Sequence, residues 1–296
     1  MVNKKYWENW ETNWGKWGAD DEKGALNYVT PSVTLTALSL VKEGKVYNLA
    51  IPIQKRTVIF PGHYPIEHHV IYGPNDFSVR HWYSGDPDVG LITDWALMEM
   101  HSYTHCDGLN HVWSGEKLYN NMNRTDCGVE NMRGVVSRGI LLDVAAYEGV
   151  DVLPGDYEIT GDILNNVAEI EGVEVKTGDV LCVRTGIGWE LMDREGLEEM
   201  PHPPHPGLVL SAGKWATDRE VCAVFTDCPG LDKLPYSEPG PLAVHRWLEW
   251  AHGTYGGQNF NFSELSRDKV YAFCFTAAPV PVVGASGGWI VPLAIV

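Results

Sequence analysis

Apolar and polar positions along the chain follow two patterns, one typical of buried strands and one typical of amphipathic helices. The predicted strands cover residues 45–60, 138–144, 179–185 and 221–226. The predicted helices cover residues 31–43, 160–170, 189–200 and 241–252, and the first of them starts with Thr30 as N-cap and Pro31 as N1. Because strands and helices alternate, the pattern predicts a single α/β domain over residues 1–296.

Between the first strand region and about residue 90 the chain is rich in proline, glycine and histidine, which predicts a long loop. Long irregular segments often carry function. Their histidines are therefore candidates for the lining of a pocket: His63, His68, His69 and His81.

The first 18 residues carry four tryptophans, Trp7, Trp10, Trp14 and Trp17, at the spacing of one helical stripe. Such a stripe must be covered in the native protein, because exposed indoles would form a large apolar patch. Two alternatives remain open. The stripe packs on the protein's own core, or residues 1–18 form an N-terminal arm that packs on a neighbouring subunit.

Composition excludes several classes of protein. Of the 296 residues 44% are hydrophobic, which is enough for one sizeable core. The net charge of −17 argues against binding to nucleic acid or to anionic membranes. No apolar run approaches the ~20 residues of a membrane span and no signal-peptide pattern is visible, so a cytoplasmic protein is expected. The six cysteines lack C-x-x-C spacing and are expected to be reduced.

The strongest chemical signal is the segment HSYTHCDGLNH, residues 101–111. Imidazole and carboxylate groups are the ligands of catalytic divalent metals, and three protein ligands leave one coordination position open for water or substrate. His101, His105 and Asp107 fit that count. A straight strand would place the two histidines ~13 Å apart, so a bend is expected near residues 102–103.

This segment resembles the motif H-x-G-T-H-x-D-x-x-x-H of the metal-dependent cyclase-like hydrolases, a family that includes kynurenine formamidases and isatin hydrolases. Only the motif glycine is replaced, by Tyr103. The segments WGxDDxxGALN, GDxxxxRTG and HPGL are also similar to the family. The resemblance implies a central mixed sheet or barrel-like β core flanked by helices, and a homo-oligomer, dimer or tetramer.

The resemblance also assigns roles to single residues. His111 matches the last motif histidine and is expected to move protons between water and leaving group, a role that His245 could share. In some family members a histidine and, about twelve residues later, a glutamate supply a second metal position, and here the matching residues are His245 and Gln258. An amide is a poorer ligand than a carboxylate, so one ion, zinc or manganese, is expected.

Four residues are expected to line the substrate pocket: Tyr103, Gln258, His205 and Ser286. Ser286 lies in Gly284–Gly288, a literal G-x-S-x-G. A nucleophile elbow would need a following helix and a later histidine, and neither follows, so a loop with a final strand is expected.

The ligand pattern and the family resemblance together imply a metal-dependent hydrolase that opens a cyclic amide, imide or lactone, or cleaves an N-acyl amide such as a formamide. The divalent ion would lower the pKa of a bound water toward ~7 and polarise the substrate carbonyl. Two alternatives remain open, a metal-dependent lyase and a catalytically silent protein of the same fold that binds a metal or ligand.

Overall fold

A nine-stranded mixed sheet forms the centre of the protein. The computed structural model describes residues 6–55, 63–73, 91–123, 126–199 and 203–296. In chain order the described strands are β1 (Val46–Asn48), β2 (Glu67–Tyr72), β3 (Thr93–Leu97), β4 (His105–Asp107), β5 (Val135–Asp143), β6 (Glu158–Ile159), β7 (Val180–Arg184), β8 (Gly207–Leu208), β9 (Ala223–Thr226), β10 (Tyr255–Gln258), β11 (Ala272–Ala277), β12 (Gly287–Trp289) and β13 (Leu293–Ile295). The order in the sheet is β1-β13-β11-β5-β7-β9-β10-β4-β12, and β2–β3 and β6–β8 form two small separate pairs.

The middle of the sheet is parallel, from β5 through β7 and β9 to β10, and the flanking pairs are antiparallel. Parallel strands need crossover connections, which here contain helices that cover the sheet. The described helices are α1 (Pro31–Leu38), α2 (Val144–Tyr147), α3 (Gly161–Glu171), α4 (Trp189–Glu195), α5 (Leu210–Asp218), α6 (Ala243–His245), a π-helix (Arg246–Ala251) and α7 (Ser263–Arg267). The predicted fold class, a central mixed sheet flanked by helices, is therefore confirmed.

Apolar side chains pack on both faces of the sheet, because successive residues of a strand point to opposite sides. On β5, Leu141 belongs to one cluster, with Phe225 and Phe273, whereas Ile140 and Leu142 belong to the other. All of these side chains are buried. Sequence periodicity therefore predicted β5, β7 and β9, since strands buried on both faces are continuously apolar, but it did not predict β10, which contains two glycines.

Several predicted boundaries differ from the structure. The helix expected over 31–43 starts at Pro31 with Thr30 as its N-cap, as predicted, but it ends at Leu38. The strand expected over 45–60 is limited to β1 within the described part of the chain. The predicted loop contains β2, and its residues 56–62 and 74–90, including His81, lie outside the described residues. None of the described helices has the length and apolar character to cross a membrane.

The N-terminal arm, described from residue 6 to residue 18, forms turns rather than the predicted helix. Trp10 packs edge-on against Trp247 at a ring-centroid distance of 5.2 Å, and Trp14 packs against Trp250 at 4.9 Å. The indole N–H of Trp14 also donates to the Trp250 carbonyl at 2.8 Å. The arm thus packs Trp10 and Trp14 on the π-helix of its own chain, whereas Trp17 packs against Tyr28.

Candidate metal centre

Strand β4 places His105 and Asp107 between two antiparallel neighbours. His105 lies opposite Gln258 of β10, and Asp107 lies opposite Gly287 of β12. Because residues two apart share one face of a strand, both side chains point into the same site while Cys106 points into the apolar core. Burial raises the pKa of the Cys106 thiol well above its usual range, which is the opposite of a nucleophile's requirement.

The chain bends sharply just before β4, at Tyr103, whose φ of 59° lies in the left-handed region. A residue with a Cβ adopts this region at a cost of about 1–2 kcal/mol. The Tyr103 hydroxyl compensates, since it donates to the Gln54 carbonyl and accepts from the Ile66 N–H, both at 2.9 Å. The bend expected from the motif is therefore present without the motif glycine, and it brings His101 back to Asp107.

Asp107 is the centre of the polar cluster and is fully buried. Its Oδ1 lies 2.8 Å from His101 Nδ1 and 3.7 Å from His105 Nε2, and its Oδ2 accepts from the Gln258 amide at 2.8 Å. Burial alone would raise the pKa of Asp107, but the surrounding histidines, His111 and His101 foremost, lower it well below its usual range. Asp107 is thus a carboxylate whose two oxygens face two different sides of the site.

Three histidines of the motif surround this carboxylate. His105 Nδ1 lies 2.8 Å from the Tyr103 carbonyl, so the Nε2 lone pair is left toward Asp107. Burial lowers the pKa of His105 to about 4 and that of His111 to about 3. Neutral imidazole is the form that binds metals. The ligand atoms of His101, Asp107 and His111 lie within 4.8 Å of one another.

A second histidine-carboxylate pair faces the same site. His245 ends α6, and its Nδ1 lies 2.5 Å from Asp232 Oδ2. Burial opposes protonation of His245, but the hydrogen bond to Asp232 and its charge outweigh burial and raise the pKa. The other ring nitrogen, Nε2, lies 3.5 Å from the Gln258 amide nitrogen.

Glu249 of the π-helix is the third acid of the site and is fully buried. Its ligand atom lies within 4.8 Å of those of Asp107 and His245. Neither of its carboxylate oxygens has a hydrogen-bond donor among the described residues. Burial first, and then the adjacent charge of Asp107, raise the pKa of Glu249 well above its usual range.

The site borders a cavity of about 260 Å³. The cavity is lined by His63, His101, His105, His111, Pro229, Gly230, Asp232, Leu234, Tyr236, Leu242, His245 and Gln258. A cavity that combines apolar residues with a few polar groups is typical of a small-molecule site. No lysine or arginine is among the described residues of the lining.

The structure brings most of the predicted site residues together. His101, His105, His111, His245 and Gln258 all line the cavity. Tyr103 instead lies beneath the site, in an apolar cluster. Ser286 contacts the site through His101 Nε2, at 3.0 Å.

His205 lies outside the lining. Its backbone pairs with that of Leu234, and it is Leu234 that reaches the cavity. Among the loop histidines, His63 lines the cavity, whereas His68 pairs with Asp94 at the surface and His69 stacks on Trp95.

Sequence reasoning missed two acids of the site, Asp232 and Glu249. Glu249 follows His245 by four residues in a predicted helix, a spacing that places two side chains on one face. An acid among apolar helix residues, in LEWA, was the available signal. Asp232 gave none, because it lies in an irregular loop.

A family model named Cyclase matches residues 47–233, about two thirds of the chain. The chain belongs to the Cyclase family. A search of the curated proteins gives no significant match. Among solved structures, a crystal structure described as a novel cyclase is 29% identical, has a TM-score of 0.85 and covers 97% of this chain and 98% of its own.

Two further structures extend this likeness within the Cyclase family's fold. An isatin hydrolase bound to the product analogue thioisatinate is 18% identical, has a TM-score of 0.65 and covers 90% of this chain and 99% of its own. Isatin hydrolase A from Ralstonia solanacearum is 18% identical, with a TM-score of 0.63 and coverage of 84% and 91%. At these identities the likeness concerns the fold.

Proposed function

We propose that this Cyclase-family protein is a metal-dependent hydrolase that opens a cyclic amide, imide or lactone, or cleaves an N-acyl amide. The observation that carries the proposal is the convergence of His101 and His105, which line the cavity, on the buried carboxylate of Asp107. Membership of the family and the fold shared with isatin hydrolases support the same reaction class. The reaction consumes one water and produces a new carboxylic acid.

The donor set fits a divalent cation. His101 and Asp107 share a hydrogen bond of 2.8 Å that a cation could replace, and His105 presents its free Nε2 to the same carboxylate. Two neutral imidazoles and one carboxylate suit zinc and manganese alike. When bound, such an ion supplies Lewis acidity, which polarises a carbonyl and lowers the pKa of a coordinated water toward ~7.

The remaining residues would orient the ligands and handle protons. The Gln258 amide fixes Asp107 by donating to Oδ2, and Ser286 fixes the ring of His101. His111 packs against the ring of His101 at a centroid distance of 4.1 Å, which makes it the candidate base for the attacking water. His245, held by Asp232, is the second candidate for proton transfer.

The cavity favours a small and largely apolar substrate. Leu234, Tyr236 and Leu242 contribute to its lining. A volume of about 260 Å³ is near the lower end for small-molecule pockets, and the lack of cationic side chains among its described residues disfavours a strongly anionic substrate. A neutral cyclic amide or lactone meets both conditions.

Metal analysis combined with a substrate screen tests the proposal. Protein purified without added metal is assayed for zinc and manganese, and lactones, imides and N-formyl amines are screened with a pH indicator. Hydrolysis releases acid, whereas a lyase would give a double bond and a silent binder would turn nothing over. Full retention of metal by a His105→Ala, Asp107→Ala double variant would contradict the assigned ligands.

A further inference from the structure

Glu249 is a buried acid without a hydrogen-bond partner among the described residues. Buried carboxylates are normally paired or hydrogen-bonded, because an isolated charge in an apolar interior costs several kcal/mol. Its neighbours in the π-helix, Leu248 and Trp250, are apolar and buried. Among the described residues no hydrogen-bond donor reaches either of its oxygens.

The packing around Glu249 keeps its carboxylate next to Asp107. Gly256 of β10 passes directly beside both acids. A Cβ at that position would lie 2.6 Å from Glu249 Oε1 and 3.1 Å from Asp107 Oδ2. The glycine therefore leaves open a space that two carboxylate oxygens face.

His245 offers a third donor to this space. Its Nδ1 is engaged by Asp232, so Nε2 faces the two acids, and the three ligand atoms lie within 4.8 Å of one another. Two carboxylates and one imidazole form a ligand set for zinc or manganese. Asp107 can contribute one oxygen to each of two ligand sets. Its Oδ1 faces His101, and its Oδ2 faces Gln258 and His245.

We propose that Asp107, His245 and Glu249 form a second divalent-cation site, in which Glu249 supplies the carboxylate that the sequence pattern led us to seek at Gln258. The proposal deepens the proposed function and rests on it, because Asp107 would be shared by the two ions. It departs from the expectation of a single ion. It also assigns His245 to ligation and leaves proton transfer to His111.

The substitution Gln258→Glu can be used to restore the second ion after Glu249 has been replaced. Its side-chain amide lies 2.8 Å from Asp107 Oδ2 and 3.5 Å from His245 Nε2, so a carboxylate there would face the same two groups. The Glu249→Gln variant removes the charge and keeps the shape. The double variant Glu249→Gln, Gln258→Glu moves the carboxylate from residue 249 to residue 258.

The experiment counts Mn²⁺ ions on the full-length chain after chelator treatment, by calorimetric titration and by electron paramagnetic resonance. Wild type is expected to bind about two ions per chain and to give the spectrum of a spin-coupled pair, because ions that share one carboxylate lie close together. Glu249→Gln is expected to bind about one ion with an uncoupled spectrum. The double variant is expected to regain the second ion and the coupling.

The competing account is a protonated Glu249 that donates a hydrogen bond to Asp107. It requires that wild type binds one ion with no coupling and that Glu249→Gln binds the same number, and this result would overturn the second site. If a variant does not fold, the coupling in wild type decides alone. A chain that binds no ion refutes the proposed function as well, whereas a chain that binds one refutes only the second site.

Discussion

Tyr103 shows how one residue keeps the geometry of a motif from which it departs. The sequence predicted a bend at this position, because a straight strand would separate His101 from His105. It also indicated that a residue with a Cβ resists the positive φ of the bend. What pattern reasoning could not supply is the compensation, since the partners of the hydroxyl, Gln54 and Ile66, lie in a distant segment.

The variant Tyr103→Phe tests this compensation. It removes both hydrogen bonds and leaves a buried carbonyl and a buried N–H without their partner. We expect the free energy of unfolding to fall by about 1–3 kcal/mol, as measured by urea denaturation. Tyr28→Phe is the control, because the Tyr28 hydroxyl is bound by the exposed side chain of Lys16. Equal stability of the two variants would show that the Tyr103 hydroxyl does not stabilise the bend.

The variant His111→Ala separates proton transfer from metal binding. If His111 acts as a base beside the ligands, metal content stays near wild type while kcat falls by roughly 10²–10⁴-fold. Metal stoichiometry and turnover are measured on one preparation. The exposed His68, which pairs with Asp94, provides the control His68→Ala with both values unchanged. Loss of metal together with activity would instead make His111 a ligand, as its proximity to His101 and Asp107 permits.

At the scale of elements, capping and periodicity predicted where helices begin better than what kind of helix forms. Thr160 caps α3 by accepting from the Ile163 N–H, and Gly172 ends it in the left-handed conformation. The helix predicted over 241–252 is a short α-helix followed by a π-helix. Helical periodicity assumes 3.6 residues per turn, so it could not foresee the wider turn that turns Glu249 toward Asp107.

The end of α3 predicts a pH dependence of stability. Burial raises the pKa of Glu171 from 4.5 to about 8, although the Asp143 N–H donates to its Oε1. The folded state therefore holds a proton that the unfolded state releases above pH 4.5. The resulting stability is fully present below about pH 4.5 and is lost as the pH rises toward 8.

Comparison of wild type with Glu171→Gln measures this effect. The amide does not titrate, so the variant is expected to lose less stability than wild type between pH 5 and pH 8, by roughly 1–3 kcal/mol. Melting temperatures across this range provide the test. Parallel stability curves for the two proteins would show that Glu171 is ionised in the folded state at neutral pH.

At the scale of the whole molecule, the N-terminal arm packs on the π-helix that carries Glu249. The arm donates from Trp14 to the Trp250 carbonyl and from the Asn13 side chain to the His252 carbonyl, and the Asn13 N–H donates to Ala251. The last carbonyls of a helix have no partner inside it, so the arm satisfies those of the π-helix. The sequence indicated that the tryptophans are buried but could not choose between core and subunit.

Deletion of residues 1–18 tests whether the arm packs on its own chain or on a neighbouring subunit. Because Trp10 and Trp14 pack on their own chain, the deletion is expected to lower Tm by roughly 5–15 °C. The sedimentation coefficient should change only by the lost mass, and the predicted homo-oligomer should persist. A change of oligomeric state at unchanged Tm would instead favour packing of the arm on a neighbouring subunit. Replacement of Trp17 by Phe, which retains a ring against Tyr28, is the mild control.

The contact between Trp14 and Trp250 spans 236 residues of sequence, which affects how the protein is made. A ribosome adds about 5–20 residues per second, so roughly 12–47 s pass between synthesis of the two partners. During that time the indoles of Trp10 and Trp14 lack the π-helix surface on which they pack. The nascent chain therefore exposes these two apolar side chains until the π-helix has been synthesised. Chaperone capture during translation should concentrate on the arm and end when the π-helix has emerged.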